Sequence, residues 1–288
     1  MRRRLTWRRS RALVPRIVAV LTCGLAALSP SALVAREIVR VGSTLDLVPF
    51  AFVDVDGRPT GFELELLSMI GERLGLGFEF VKTPFSQAFT GLAAGKYRLN
   101  ASAIGIRCER IAGTAKVGRF SVPTFSQGYV ITARALHPAH TSGFEALRGL
   151  RLGVESRGSI ADRLAEAHGA RVGFTKIVFD NSATLFLALQ QGRIDAALQS
   201  ELVSRHYVRN RSEMVVGEAL PSTSVPSGFV FREGDELRER FNEAIDALKR
   251  AGAITGLYER WFGSAPPPGS IVRNVVPEIT LATCRAAS

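Results

Sequence analysis

Two stretches of this chain carry residue types suited to holding a small anion. The first is Ile106-Arg107-Cys108-Glu109-Arg110, which runs from a loop into an expected helix start. A cleft that captures a carboxylate needs a fixed cation with parallel donors, and arginine supplies both. The plainer reading of Arg110 is an exposed arginine salt-bridged to Glu109. The second stretch is Gly153-Val154-Glu155-Ser156-Arg157-Gly158-Ser159-Ile160-Ala161, which reads as strand, loop and helix N-terminus. Free backbone N–H groups and the helix dipole favour negative charge there, and Ser159 is placed to cap the helix. Catalytic and metal signals are thin. His137, His140, His168 and His206 have no shared ligand spacing, no Cys-x-x-Cys occurs, and Ser126 and Ser204 lack a context that would activate a nucleophile.

The elements that must position these groups alternate between strand and helix, the pattern of α/β lobes with mainly parallel sheets. Strands are expected near residues 38–42, 78–82, 99–103, 129–133, 152–154, 172–178, 195–198 and 228–231. Helices are expected over 63–74, 85–94, 159–168, 183–191, 201–208 and 236–250. In the first helix Phe62, Leu66, Met69, Ile70 and Leu74 fall at helical spacing and Gly75 ends it. Beyond Gly263, Pro266-Pro267-Pro268 cannot continue a helix. The last twenty or so residues are expected to wander over the surface.

The N-terminus reads as a secretory signal over residues 1–35: seven arginines without an acid, a twelve-residue apolar run from Ile17 to Leu28, and a small-residue exit near Ala35. Twelve residues are too few to span a bilayer comfortably. The Arg8-Arg9 pair is the kind an arginine-rich leader produces by accident, and Thr22 is a poor residue to precede a lipid-bearing Cys23. Removing this segment takes Lys+Arg from 37 to 30 against 26 acids, so the charge falls from +11 to about +4. The basicity belongs mostly to the leader and does not indicate nucleic acid. Two cysteines remain, Cys108 and Cys284; in an oxidising compartment they either pair or stay as two free thiols.

Gly61-Phe62-Glu63-Leu64-Glu65-Leu66, Cys108-Glu109-Arg110, Leu147-Arg148-Gly149 with Leu152-Gly153-Val154, Gln191-Gly192-Arg193-Ile194-Asp195-Ala196-Ala197 and Leu257-Tyr258-Glu259-Arg260-Trp261-Phe262-Gly263 form an ordered series. That series resembles the periplasmic solute-binding proteins of amino-acid ABC importers, from about Val39 to Gly263. The resemblance implies a two-lobed periplasmic-binding-protein fold of type II. Lobe one would comprise residues 36–131 and 226–263, and lobe two residues 132–225. The hinge crossings would fall near 129–135 and 214–226, and the tail would occupy 264–288. It implies hinge closure over a ligand, an inner-membrane ABC permease as partner, a monomer, and no cofactor, metal or nucleic acid.

The same resemblance makes Arg110 the carboxylate clamp and brings Ser159, Gly158 and Ser102 to the ligand. Thr44 and Leu47 stand where the family usually has an acid and an aromatic, and Ser200 stands where it has the acid that pairs with the ligand ammonium, with Glu201 one step later. Ala103 and Gly105 replace further hydroxyls. Phe52 is the favoured wall candidate, ahead of Phe50, Phe85 and Tyr129. A buried ammonium without an acid is costly. Either Glu201, Asp46 or Glu155 takes over, or the ligand is a carboxylate without an amino group. The leading function is therefore a periplasmic receptor for a small carboxylate-bearing solute, an amino acid or similar. The alternative is an enzyme like the cyclohexadienyl or arogenate dehydratases of this fold, in which the acid position corresponds to Val203.

Overall fold

Along Glu37–Ser43 burial changes from mixed to continuous, so that the last three residues are all buried, as in a strand entering the middle of a sheet. The computed structural model describes residues 36–286, and the expected leader lies outside them. Glu37–Ser43 pairs in parallel with Leu76–Lys82 on one side and Leu99–Asn100 on the other. The sheet continues through Val230–Arg232 to Gly118–Phe120, and Val230–Arg232 runs against both neighbours. A second five-stranded sheet repeats this order: Thr175–Phe179, Arg151–Glu155, Ala196–Ser200, Tyr129–Arg134 and Met214–Val216. Here Tyr129–Arg134 is the reversed strand.

The reversed strand has the same origin in each sheet. The chain leaves one sheet and enters the other through a two-stranded antiparallel ribbon, Phe125–Gln127 with Val225–Ser227. A segment that enters from the end where the parallel strands finish must run against them. The loops at those strand ends therefore gather on either side of the ribbon, the place where open α/β sheets keep their ligands.

Residues 129–131, assigned from the sequence to the first lobe, are rungs of the second sheet. Tyr129-Val130-Ile131-Thr132-Ala133 is buried throughout, and a continuous apolar run reads the same in a hinge as in a central strand. The crossing lies a few residues earlier on the outward pass, in the Phe125–Gln127 strand.

Helix Phe62–Leu74 ends at Gly75, whose φ of 71° suits a residue without a side chain. Its buried face, Phe62, Leu66, Leu67 and Ile70, belongs to a core shared with Phe50, Phe125 and Phe229. Phe50 stacks on Phe125 with ring centroids 4.9 Å apart, and Phe62 meets Phe125 edge-on at 5.6 Å. The ribbon is thus anchored by its aromatic residue in the first lobe.

The tail does not wander over the surface. Val272 is buried, Glu278 pairs with Arg238 at 2.7 Å, and Ile279 packs against the cluster around Tyr97 and Phe120. Helix Leu281–Ala286 lies on helix Cys108–Thr114, where Cys284 is disulfide-bonded to Cys108 with Cα atoms 5.6 Å apart. Proline stops a helix, but it does not stop a later segment from docking.

The disulfide spans 176 residues of sequence, a loop whose closure restricts the unfolded chain strongly. Reduction, or Cys108→Ser with Cys284→Ser, is expected to cost about 2 to 5 kcal/mol. Thiol counting under denaturing conditions, with and without reductant, and a melting curve of the double variant check it. Two free thiols in the oxidised protein would refute the pairing.

Candidate functional site

Between the two sheets, beside the ribbon, lies a cavity of about 560 Å³ including the part open to solvent. Thr44, Leu47, Phe85, Ser102, Ala103, Gly105 and Arg110 line it from the first sheet's side. Tyr129, Glu155, Ser156, Ser159, Ile160, Ala161, Gln199, Ser200 and Val203 line it from the second, and Gln127 lines it from the ribbon.

Arg110 sits in the first turn of helix Cys108–Thr114. Its Nη1 donates to the carbonyl of Gly105 at 2.8 Å and its Nη2 to the carbonyl of Gly158 at 3.2 Å. One guanidinium thus touches both lobes. It also lies 5.7 Å from the centre of the Phe85 ring, within reach of a cation–π attraction. Glu109 is not its partner, because that carboxylate pairs with Arg107 at 3.3 Å. Among the described residues no acid lies within ion-pair distance of Arg110. Dehydration pulls its pKa down to about 10, the mark of a cation held out of water without a counter-charge.

The second lobe supplies the start of helix Ile160–Val172. Ser159 accepts from the amide of Asp162 at 3.1 Å and donates to the carbonyl of Glu155 at 2.6 Å, so its hydroxyl is committed to capping. The Gly158 amide, expected to face the ligand, donates instead to Asp162 Oδ2 at 2.9 Å. What remains for an anion are the amides of Ile160 and Ala161, which have no acceptor within the helix and belong to residues on the cavity wall.

Glu155 ends strand Arg151–Glu155 and faces the cavity. Ser182 Oγ and Gln199 Nε2 both donate to its Oε2. Gln199 is itself fixed, receiving the Ser200 amide at 2.7 Å and donating to Ser182 Oγ at 3.0 Å. Dehydration, reinforced by nearby Asp46 and opposed by these bonds, leaves the Glu155 carboxyl pushed up to about 7. Buried polar atoms on the wall, Gln127 Oε1 and Ser200 Oγ among them, have no partner among the described residues. Such atoms cost stability unless something bonds to them.

The model of the bacterial extracellular solute-binding proteins, family 3, matches residues 39–264, with every cavity residue and, apart from Glu37 and Ile38, both sheets inside that span. The chain belongs to this family. Among curated family relatives it is 29% identical to a probable amino-acid ABC transporter-binding protein of Haemophilus influenzae, over 77% of this chain and 84% of that one. It is 27% identical to an L-cystine-binding protein of Escherichia coli K12, over 80% and 84%. Among solved structures, an ancestral arginine-binding protein bound to arginine superposes with a TM-score of 0.72 at 28% identity, covering 80% of this chain and all of that one. An ancestral amino-acid-binding protein described as a precursor of cyclohexadienyl dehydratase gives 0.71 at 29%, covering 78% and 96%. These matches establish the two-lobed α/β fold expected from the sequence.

Of the residues singled out in the sequence, Arg110, Ser159, Ser102, Thr44, Leu47 and Ser200 meet at the cavity. Gly158 touches it only through the carbonyl that Arg110 holds. Phe52 and Glu201 fall outside the cavity wall, as do Phe50 and Asp46. Phe52 lies edge-on to Trp261 at 6.0 Å, and Glu201, turned along its helix, pairs with Arg205 at 2.7 Å. Gln127 and Gln199 were not singled out, although a lone glutamine beside Ala196-Ala197-Leu198 on a buried strand is a detectable signal.

Glu63 supports the wall from behind. Fully buried, it accepts the Ala103 amide at 2.8 Å and so steadies a non-glycine residue held at φ 49°. Its other oxygen has no partner, and dehydration pushes its pKa up to about 8. A carboxyl raised in the folded state contributes stability that is complete below its unfolded pKa of about 4.3 and is lost as pH rises through about 8. Glu63→Gln is expected to remove this dependence: relative to the variant, the native protein should lose more than about 2 kcal/mol between pH 5 and pH 8, at about 1.4 kcal/mol per pH unit of displacement. Denaturant titrations at the two pH values check it, and parallel profiles would contradict it.

Proposed function

We propose that this protein is a periplasmic receptor that captures an amino acid in the cleft between its lobes and delivers it to an ABC-type importer of the inner membrane. The observation that carries this is Arg110, a dehydrated guanidinium that bridges Gly105 and Gly158 and has no acidic partner among the described residues. A carboxylate entering the cleft supplies the missing charge and exchanges neutral carbonyl contacts for charge-assisted ones. The printed names of relatives, amino-acid and L-cystine receptors among them, support an amino acid as the bearer. Secretion through residues 1–35 fits the family's extracellular role, and no helix among the described residues is long and apolar enough to cross a membrane.

Binding proceeds without chemistry in this reading. Val203, at the position expected to be acidic in the dehydratase subgroup, is a buried apolar part of the wall, and general acid catalysis needs a proton donor placed there. Incubation with prephenate, followed by ultraviolet absorbance, is expected to give no aromatic product. Turnover that is lost on mutating the cleft would overturn the receptor reading.

Arg110→Ala is expected to weaken amino-acid binding by about 2 to 4 kcal/mol, because the carboxylate is then desolvated without its charged donors. Stability of the empty protein should hardly change. Calorimetry on whichever of the proteinogenic amino acids and L-cystine gives the largest thermal shift with the native protein checks this. Near-native affinity would remove Arg110 from the clamp.

A further inference from the structure

Among the described residues that line the cavity, Arg110 is the one base and Glu155 the one acid. We propose that Glu155 receives the ligand's ammonium in this cleft, so that an acid at the end of strand Arg151–Glu155 does the work that position 200 cannot do as serine. This deepens the receptor reading and rests on it.

The bonds within the site indicate that the carboxylate is held for an outside partner. Ser182 and Gln199 both donate to Oε2, and no bond to Oε1 occurs among the described residues. One oxygen is anchored, the other has no bond, and the residue lines the cavity. No lysine or arginine pairs with Glu155 among the described residues, although it lies on a cleft wall where such a cation would be attracted. Its anchors are fixed in turn: Ser182 opens a helix capped by Asn181, and Gln199 is locked by the Ser200 amide. Rigid support of this kind adds nothing to a solvated surface acid, but it does aim a carboxylate at a ligand.

Position 200 tells the same story. The Ser200 hydroxyl is buried, 2% exposed, lines the cavity and has no partner. It can accept from or donate to a ligand but cannot neutralise one. Tyr129, also on the wall, feels Arg110 and Glu155 with opposite sign. The cavity therefore carries both charges on its wall, a cation for a carboxylate and an acid for an ammonium. A ligand carrying both on one carbon matches it, whereas a carboxylic acid without the amino group leaves Glu155 dehydrated and unpaired.

The titratable neighbours of Glu155 are Asp46, Tyr129 and Tyr207, and Lys82, Arg157 and Asp180 share with it and Asp46 the wall of an adjoining cavity. The tyrosines do not ionise near neutral pH, and Asp46 favours the protonated acid, so the empty cleft holds Glu155 partly protonated near pH 7. An arriving ammonium must displace that proton.

The test uses the full mature chain and two probes: the amino acid that gives the largest thermal shift in a panel of the proteinogenic amino acids and L-cystine, and the matching carboxylic acid with hydrogen in place of the ammonium. Glu155→Gln is expected to weaken the amino acid about 30- to 1,000-fold while changing the des-amino acid less than about threefold. Adding Ser200→Asp to that variant should recover part of the loss. On the native protein, amino-acid affinity should fall by up to about tenfold per unit as pH drops below about 7, and des-amino affinity should not fall down to pH 5.5. This second measurement stands even where the variant does not fold. A Glu155→Gln protein that keeps the preference for the amino acid, or loses both probes equally, overturns the assignment and leaves the receptor reading in place. A native protein that binds no amino acid in the panel ends both.

Discussion

A guanidinium removed from water without an acid beside it is an expensive thing to keep, and the cleft is arranged around that expense. Arg110 is satisfied in the empty protein only by two carbonyls, one from each lobe. Neutral carbonyls meet its hydrogen-bonding needs but not its charge, which leaves the site receptive to an anion. The same contact holds the lobes together. A ligand that takes over the guanidinium therefore competes with, and then replaces, a link between them, which couples capture to the hinge.

The placement of that arginine depends on topology. Each sheet accepts one reversed strand, and those two strands begin where the chain passes through the Phe125–Gln127 and Val225–Ser227 ribbon. The strand-end loops of both sheets are thereby brought to one cleft. Gly105 shows how closely: a Cβ there would stand 2.5 Å from the end of the Ile160 side chain and 3.0 Å from Val225, so any side chain at this position must push the second-lobe residues aside. The Cys108–Cys284 bond and the docked tail hold the opposite side of the helix that carries Arg110. The tail is thus part of the scaffold that holds Arg110.

Electrostatically the cleft separates its charges. Ser159 and the Gly158 amide, natural anion donors by sequence, are consumed by the helix cap and by Asp162. Asp162 in turn pairs with Lys176. The second lobe therefore presents an acid, Glu155, and two first-turn amides instead of a basic surface. Glu63 plays a quieter part behind the first-lobe wall, where its burial as a neutral acid lets it grip the Ala103 loop without adding a second negative charge to the cleft.

The sequence by itself determined the α/β class and set Arg110 at a helix start, because those are written locally. Helical spacing with a terminal glycine marks Phe62–Leu74, alternating strand and helix signals mark the layers, and Arg110 stands in a short recognisable run at a helix start. Tertiary structure decided which side chains share the cleft. Phe52 is a plausible wall residue by position, but it packs edge-on against Trp261, more than two hundred residues away in sequence. Glu201 is one step from the expected acid, yet a helix turns successive residues by about 100° and sends it to Arg205. Gln127 and Glu155 come from different elements and share one cavity only because a ribbon and a parallel strand end at the same place. Burial, charge balance and free hydrogen-bonding atoms are properties of that meeting, and no local stretch of sequence contains them.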